Sequence, residues 1–388
     1  MSIPLPSPTR QVLFETILAH LHRHDVPYCV VGDTRGYPHT IASDVDIVVP
    51  DEQLEWVLAG LSSLEQQGIR LYQCIQHEFR AFYLAFGPAE LAQLPPTFIH
   101  IDICSHYYRY GKLLLEDKYL LNQRYFDEAK GFFVPLPAVD FIYYLMKRID
   151  KLALTRTHGE LLSHWFAQQP QKATTYIYQF FHQPDTCADL VRSAETGEWT
   201  HLYDFLPLYR RHLRQTLAQL NRGRFGDRFK EWFRRLKRIT CPTGVFIELT
   251  DVLDVQHPEV IHLLRDSLLP LMRQEYVAGV QQPLGPLALR KALASSTLVI
   301  QDGRPHRAWM TPSADFCLSW VHDEHGSAWR LASNRPKSAA RLFPESSGHV
   351  GEGFRQCVAT ILEAMHDRTR LYYPVFNAVE PENRQGAL

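Results

Sequence analysis

The stretch "SDVDIVVP", residues 43–50, constrains this chain more than any other. Its Val and Ile residues read as a buried strand, yet two carboxylates, Asp44 and Asp46, sit within it. Alternate residues of a strand share a face. Both carboxylates therefore project from one side, roughly 7 Å apart along the strand, while Val45, Ile47 and Val49 face a core. Like charges this close raise a pKa or demand a cation. Magnesium suits that demand, because it takes oxygen ligands and is commonly held by a few carboxylates plus substrate phosphates. A half-exposed edge strand would also carry polar residues at alternate positions, so the motif by itself leaves a plain surface reading open.

A second apolar run supplies a third acid. "TFIHIDIC", residues 97–104, places Asp102 as the lone carboxylate among Ile and Phe. If this strand pairs beside 44–49, three carboxylates meet on one rim, an arrangement suited to two-metal phosphoryl chemistry. Upstream, "PYCVVG" reads as a strand ending at Gly32. A glycine there lets backbone approach a phosphate closely. Asp25 and Asp33 read as turn residues.

Strand, glycine turn, spacer, Asp-Val-Asp and a later strand Asp together resemble the nucleotidyltransferase superfamily of the polymerase-beta kind. The resemblance covers about the first 130 residues and maps onto Val31, Gly32 and Asp33, then Asp44, Val45, Asp46 and Ile47, then Asp102. It implies transfer of a nucleoside monophosphate from an NTP, ATP being the expected donor, to a hydroxyl of a sugar, small molecule or protein. Asp44, Asp46 and Asp102 would be the catalytic residues and would hold two Mg²⁺ ions. Gly32, Asp33, Arg35 and Lys147 would bind the nucleotide. Asp33 departs from the family pattern, which has Ser or Gly there, and an acid beside phosphates should repel them.

The expected architecture is α/β + α. A nucleotidyltransferase-like mixed-sheet domain over 1–130 precedes a helical domain over 131–238 and a small C-terminal α/β domain over 239–388. In the first part, helix is expected at 8–24 and 51–68 and strand at 70–76, 78–86 and 97–104. Helices follow from Pro137 to about 237. In the first of them, Lys147 and Lys151 lie one turn apart, where they could reach a triphosphate or form part of a solvated face. The local sequence there resembles nucleotidyltransferase-like proteins of bacterial surface-polysaccharide gene clusters, which often carry a thymidylate-kinase-like P-loop domain behind it. Here "CPTGVFIELTDVLDVQHPEV" keeps Pro-Thr-Gly and a strand, but has no Gly-Lys-Ser/Thr loop. The C-terminal part is therefore expected to be a degenerate relative, and a catalytically inactive scaffold or regulator of polysaccharide synthesis is the alternative for the whole chain.

Further along, helices are expected near 257–276 and 285–294. Hairpins are expected at "STLVIQDGRPHRAWM" and "FCLSWVHDEHGSAWRLAS", then a helix at 352–367 and a strand at "RLYYPV". "RFGDRFKEWFRRLKR", residues 224–238, interleaves Lys and Arg with Phe225, Phe229, Trp232, Phe233 and Leu236. It could bind nucleic acid or an anionic surface, but core packing behind a solvated basic face is the expectation for it.

Composition narrows the partners. The 388 residues are 45% hydrophobic and 21% charged with a net charge of −1, which gives ordinary globular cores and no global basic field. Nucleic acid is thus not an expected partner. Seven Cys without CxxC spacing argue against a disulfide framework and for a reducing cytoplasm. "MSIPLPSPTR" does not read as a signal peptide, and no apolar run is long enough to span a membrane.

Overall fold

The computed structural model describes residues 8–377, apart from 43, 92–93, 110, 221–224, 251–256, 279–283, 303–313, 324–325, 334–339 and 346–350. It is a mixed α/β chain. Helix α1 (Arg10–Arg23) starts where the Thr9 side chain accepts a hydrogen bond from the Val12 N–H. It is followed by β1 (Cys29–Val31), β2 (Val45–Val48), α2 (Leu54–Leu61), β3 (Ile69–Glu78), β4 (Ala81–Pro88) and β5 (Ile99–Cys104). These strands form one sheet in the order β1-β2-β5-β4-β3. Strands β2 and β5 run parallel, and the other neighbours are antiparallel.

The period of two sorts the sheet's faces. Val45, Ile47, Ile101 and Ile103 join Leu13, Phe14, Ile17, Val57 and Leu58 in one core under α1 and α2. Val31, Val48 and Cys104 join a second core with the helices that follow. Tyr72 on β3 and Ala85 on its neighbour β4 belong to a third core shared with the C-terminal region.

Two small hairpins that the sequence pattern does not reveal come next. They are β6 (Tyr107–Arg109) with β7 (Lys112–Leu115), and, after α3 (Asp117–Leu121), β8 (Arg124–Asp127) with β9 (Phe132–Pro135). The second crosses residue 130, and Phe132 and Val134 pack in the first sheet's core. Helix α4 (Pro137–Lys151) has Pro at its first turn, where a missing N–H costs nothing. It runs through the second core with α5 (Arg156–Gln168), α6 (Pro170–Phe181), α7 (Pro184–Thr196) and α8 (Leu206–Leu220).

Helix α9 (Phe225–Thr240) forms where expected but is turned the other way round. Phe229, Trp232, Phe233, Leu236 and Ile239 are exposed, while Glu231 and Arg234 are buried. Arg234 pairs with Glu231 and donates to the Gln76 carbonyl, and Arg238 donates to Ser296. The charged face finds partners on the protein's body, so most of its buried polar groups are satisfied, Arg238 Nε being an exception among the described residues.

The C-terminal region contains β10 (Val245–Thr250), α10 (His257–Leu268), β11 (Gln274–Ala278), α11 (Pro286–Ala294) and β12 (Thr297–Asp302). It continues with β13 (Phe316–Asp323), β14 (Gly326–Ser333), β15 (Arg341–Glu345) and α12 (Glu352–Tyr372). The strands build a six-stranded sheet in the order β11-β12-β10-β13-β14-β15, parallel from β11 to β13.

Three expectations are corrected here. Residues 274–278 are strand rather than helix, because Pro270 ends the helical run and β-branched and aromatic residues follow. Strand β12 is no hairpin arm: β11 and β10 flank it on both sides in parallel. "RLYYPV" continues α12 into a 3₁₀ turn, because Thr369 and Tyr373 hydrogen-bond to β3 through Tyr72 and Gln76. The hairpin β13–β14 forms in the expected place, with Asp323 opposite Gly326, and the turn at 324–325 lies outside the described residues. The site of the missing phosphate loop, 251–256, also lies outside them.

Candidate functional site

Strand pairing brings the acids together. Asp46 stands opposite Asp102 in the parallel register of β2 and β5, and Asp44 lies just before β2 on the same alternation. All three line one cavity of about 320 Å³, with His77, Glu78, Tyr83, Arg109, Tyr143, Lys147, Lys151 and Arg273 also in its wall.

Helix α4 closes the cavity from the second core's side. The Lys147 ammonium, nearly buried, lies 2.6 Å from Asp46 Oδ2. Burial opposes its charge, but Asp46, then Asp102 and Asp44, outweigh that and raise its pKa. Lys151, a turn later, is held below its usual value by burial and by Lys147. Burial also pushes Asp102 up, to about 8, with Asp46 adding to the effect.

Among the described residues, Asp102 Oδ1 has no hydrogen-bond partner, while Oδ2 lies 3.5 Å from His77 Nε2. Burial drives the His77 imidazole well below its usual pKa, so it stands neutral beside the carboxyl. An orphaned buried carboxylate oxygen is costly unless something fills its place.

These donors fit a magnesium ion in kind: oxygen ligands, adjacent strands and one oxygen without a partner. Among the described residues, however, no group of three His, Cys, Asp or Glu side chains stands ready to hold a metal. Magnesium does not require such a cage, since it commonly takes one or two carboxylates plus waters and phosphates.

The nucleotide-binding expectations fare differently. Gly32 follows β1 with φ at +91°, a conformation that favours glycine. Its N–H donates to Asp140 Oδ1 at 3.0 Å, and so is already engaged. A Cβ there would meet Asp46 Oδ2 and the Tyr144 ring at 3.8 Å, which is ordinary contact, so the backbone angle is what selects glycine. The Arg35 guanidinium grips Asp33 with two hydrogen bonds, 2.8 and 2.7 Å, and holds that carboxyl below its usual range. This fork offsets the negative charge of Asp33. Gly32, Asp33 and Arg35 do not line the cavity, whereas Lys147 does.

Sequence reasoning passed over Asp140, Arg109, Arg273 and the contact of His77 with Asp102. Asp140 had the same signal as Asp102, a lone acid in an apolar run. It is buried, and burial pushes its carboxyl up to about 8 against the pull of the Gly32 N–H. Arg109 bridges Glu78 and Asp150 across the cavity wall, a pairing visible only in three dimensions.

No protein-family model matches this chain, and no curated protein matches it. Two solved structures from Helicobacter pylori show partial likeness. One is described as a candidate nucleotidyltransferase, at 12% identity and a TM-score of 0.24, covering 52% of this chain and 94% of the other. The second, JHP933, has 15% identity and a TM-score of 0.22, covering 55% and 95%. At such TM-scores the likeness decides neither fold nor activity. No described helix is long and apolar enough to cross a membrane.

Proposed function

We propose that the chain is a metal-dependent nucleotidyltransferase that moves a nucleoside monophosphate from an NTP to a hydroxyl acceptor. The observation that carries this reading is the pairing of Asp46 with Asp102 on adjacent parallel strands, inside a cavity also walled by lysines and arginines. Asp44, Asp46 and Asp102 would hold magnesium, which when bound supplies charge neutralisation of the phosphates and acidification of the acceptor hydroxyl. Lys147 and Lys151 meet the triphosphate as point charges. The acceptor oxygen attacks the α-phosphorus, forming a new P–O bond as the bond to the bridging oxygen breaks. Pyrophosphate leaves with that oxygen, and Asp102 takes the hydroxyl proton. ATP is the proposed donor. A sugar, a small molecule or a protein side chain supplies the acceptor hydroxyl, and the 239–388 region serves as a degenerate kinase-like companion.

Calorimetry of the full chain with ATP, with and without Mg²⁺, tests this reading. Magnesium-dependent binding lost in Asp46→Ala supports it, and the same heat without the metal contradicts it. A second reading has its own support. The Lys147 ammonium on Asp46 is a built-in counter-ion where a metal would otherwise be needed, which suits a catalytically inactive scaffold. Such a scaffold binds neither Mg²⁺ nor ATP in that titration.

A further inference from the structure

Helix α9 presents its apolar side to solvent along its described length. Phe229 is 61% exposed, Trp232 53%, Phe233 52%, Leu236 38% and Ile239 64%. At 100° per residue these five fall on one stripe, with Lys230 and Lys237 along one edge and Arg235 along the other. Residues 225–240 hold six Lys or Arg and two acids, so the helix carries a net positive charge.

The basic edges are held in place. Lys230 Nζ lies 5.2 Å from the Phe79 ring centroid, and Lys237 Nζ lies 4.3 Å from that of Tyr373. One carboxylate, Glu231, serves both Arg234 and Arg235. The Tyr108 hydroxyl donates to Asp227, and Arg234 to the Gln76 carbonyl, which fixes the helix to the body by its polar face.

We infer that α9 is a membrane-docking surface that lays its apolar stripe into the interface of an anionic lipid bilayer. An exposed apolar stripe of Trp, Phe, Leu and Ile with cationic edges is the arrangement that binds such an interface. The edges place positive charge at the level of anionic headgroups. Two other occupants suit the surface less well. A second copy would bring basic edges against basic edges, which repel. Single-stranded nucleic acid needs rings free to stack on bases. Here Phe229 packs on Phe233 at 4.8 Å and Trp232 on Phe233 at 5.3 Å, and Leu236 and Ile239 offer no π-face.

The test is co-sedimentation of the full chain with phosphatidylcholine vesicles, with and without phosphatidylglycerol. The wild-type protein is expected to pellet with the mixed vesicles and to stay in solution with the neutral ones, a comparison that needs no variant. Trp232→Ser combined with Phe233→Ser is expected to weaken partitioning roughly tenfold. Lys230→Gln combined with Lys237→Gln is expected to weaken it by about tenfold as well. Both pairs lie at exposed positions, and unchanged thermal melts would show that the fold is kept. Failure to pellet with either vesicle, or equal pelleting with both, overturns the inference. So does a concentration-dependent dimer, or retention of a labelled oligonucleotide, abolished by the same variants while lipid binding is unaffected.

Discussion

The Lys147 ammonium, carried by α4, lies 2.6 Å from Asp46 Oδ2 on β2, the strand that pairs with the one carrying Asp102. The same lysine neutralises the cavity when it is empty and competes with any cation that enters. Lys147→Gln is expected to raise Mg²⁺ affinity by about tenfold, since a charge at this range is worth roughly 1–4 kcal/mol near a protein surface. The same variant should bind ATP more weakly. Calorimetric titrations of each ligand check both directions.

Asp102 is expected to matter more for turnover than for binding. Asp102→Asn keeps the shape but cannot take a proton. Transfer should fall by about 10²-fold or more, the usual scale of a general base, while the ATP dissociation constant changes little. Pyrophosphate release under single-turnover conditions, set beside a binding isotherm, separates the two.

Asp140 should make stability depend on pH. Burial holds its folded-state pKa near 8, above the unfolded value of roughly 3.9. The folded state then binds more protons between those values, so this group's contribution is complete in acid and declines as pH rises toward 8. Asp140→Asn can still accept the Gly32 N–H and carries no charge. It should be more stable than wild type at pH 8, with the gap closing toward pH 4–5. Urea midpoints at the two ends check the sign.

Gly159 is a packing constraint rather than a site residue. An added Cβ would stand 2.5 Å from Trp199 Cδ1 and 2.6 Å from Cγ, in the helical core. Gly159→Ala should destabilise by about 1–3 kcal/mol, the usual cost of overpacking, despite the better helix propensity of alanine. Thermal or urea unfolding measures it.

Much of the site could be read in the sequence because strand geometry is local. Asp44 and Asp46 share a face by period, and Asp102 could be placed beside them because two short apolar runs of similar length tend to pair. The ion pair of Asp33 with Arg35 and the engagement of Gly32 with Asp140 were not legible. The first depends on a turn conformation, and the second joins residues 108 positions apart. The reversal of α9 has the same cause. Its spacing gives an amphipathic helix, but which face meets the body depends on where Gln76, Ser296 and Tyr108 offer partners. Residues 274–278 and the end of α12 misled for a similar reason, since helix and strand patterns overlap in short apolar runs and packing decides between them.

The hydrogen bonds from α12 to β3 set an order of events during synthesis. Thr369 reaches the Tyr72 carbonyl, and Tyr373 receives the Gln76 N–H, each across 297 residues. At translation rates of roughly 5–20 residues per second, the outer strand of the acid-bearing sheet waits about 15–60 s for its covering helix. A truncated nascent chain would leave that edge of the sheet open, so loss of the C-terminal helix should be felt first as aggregation of newly made protein, before any question of catalysis arises.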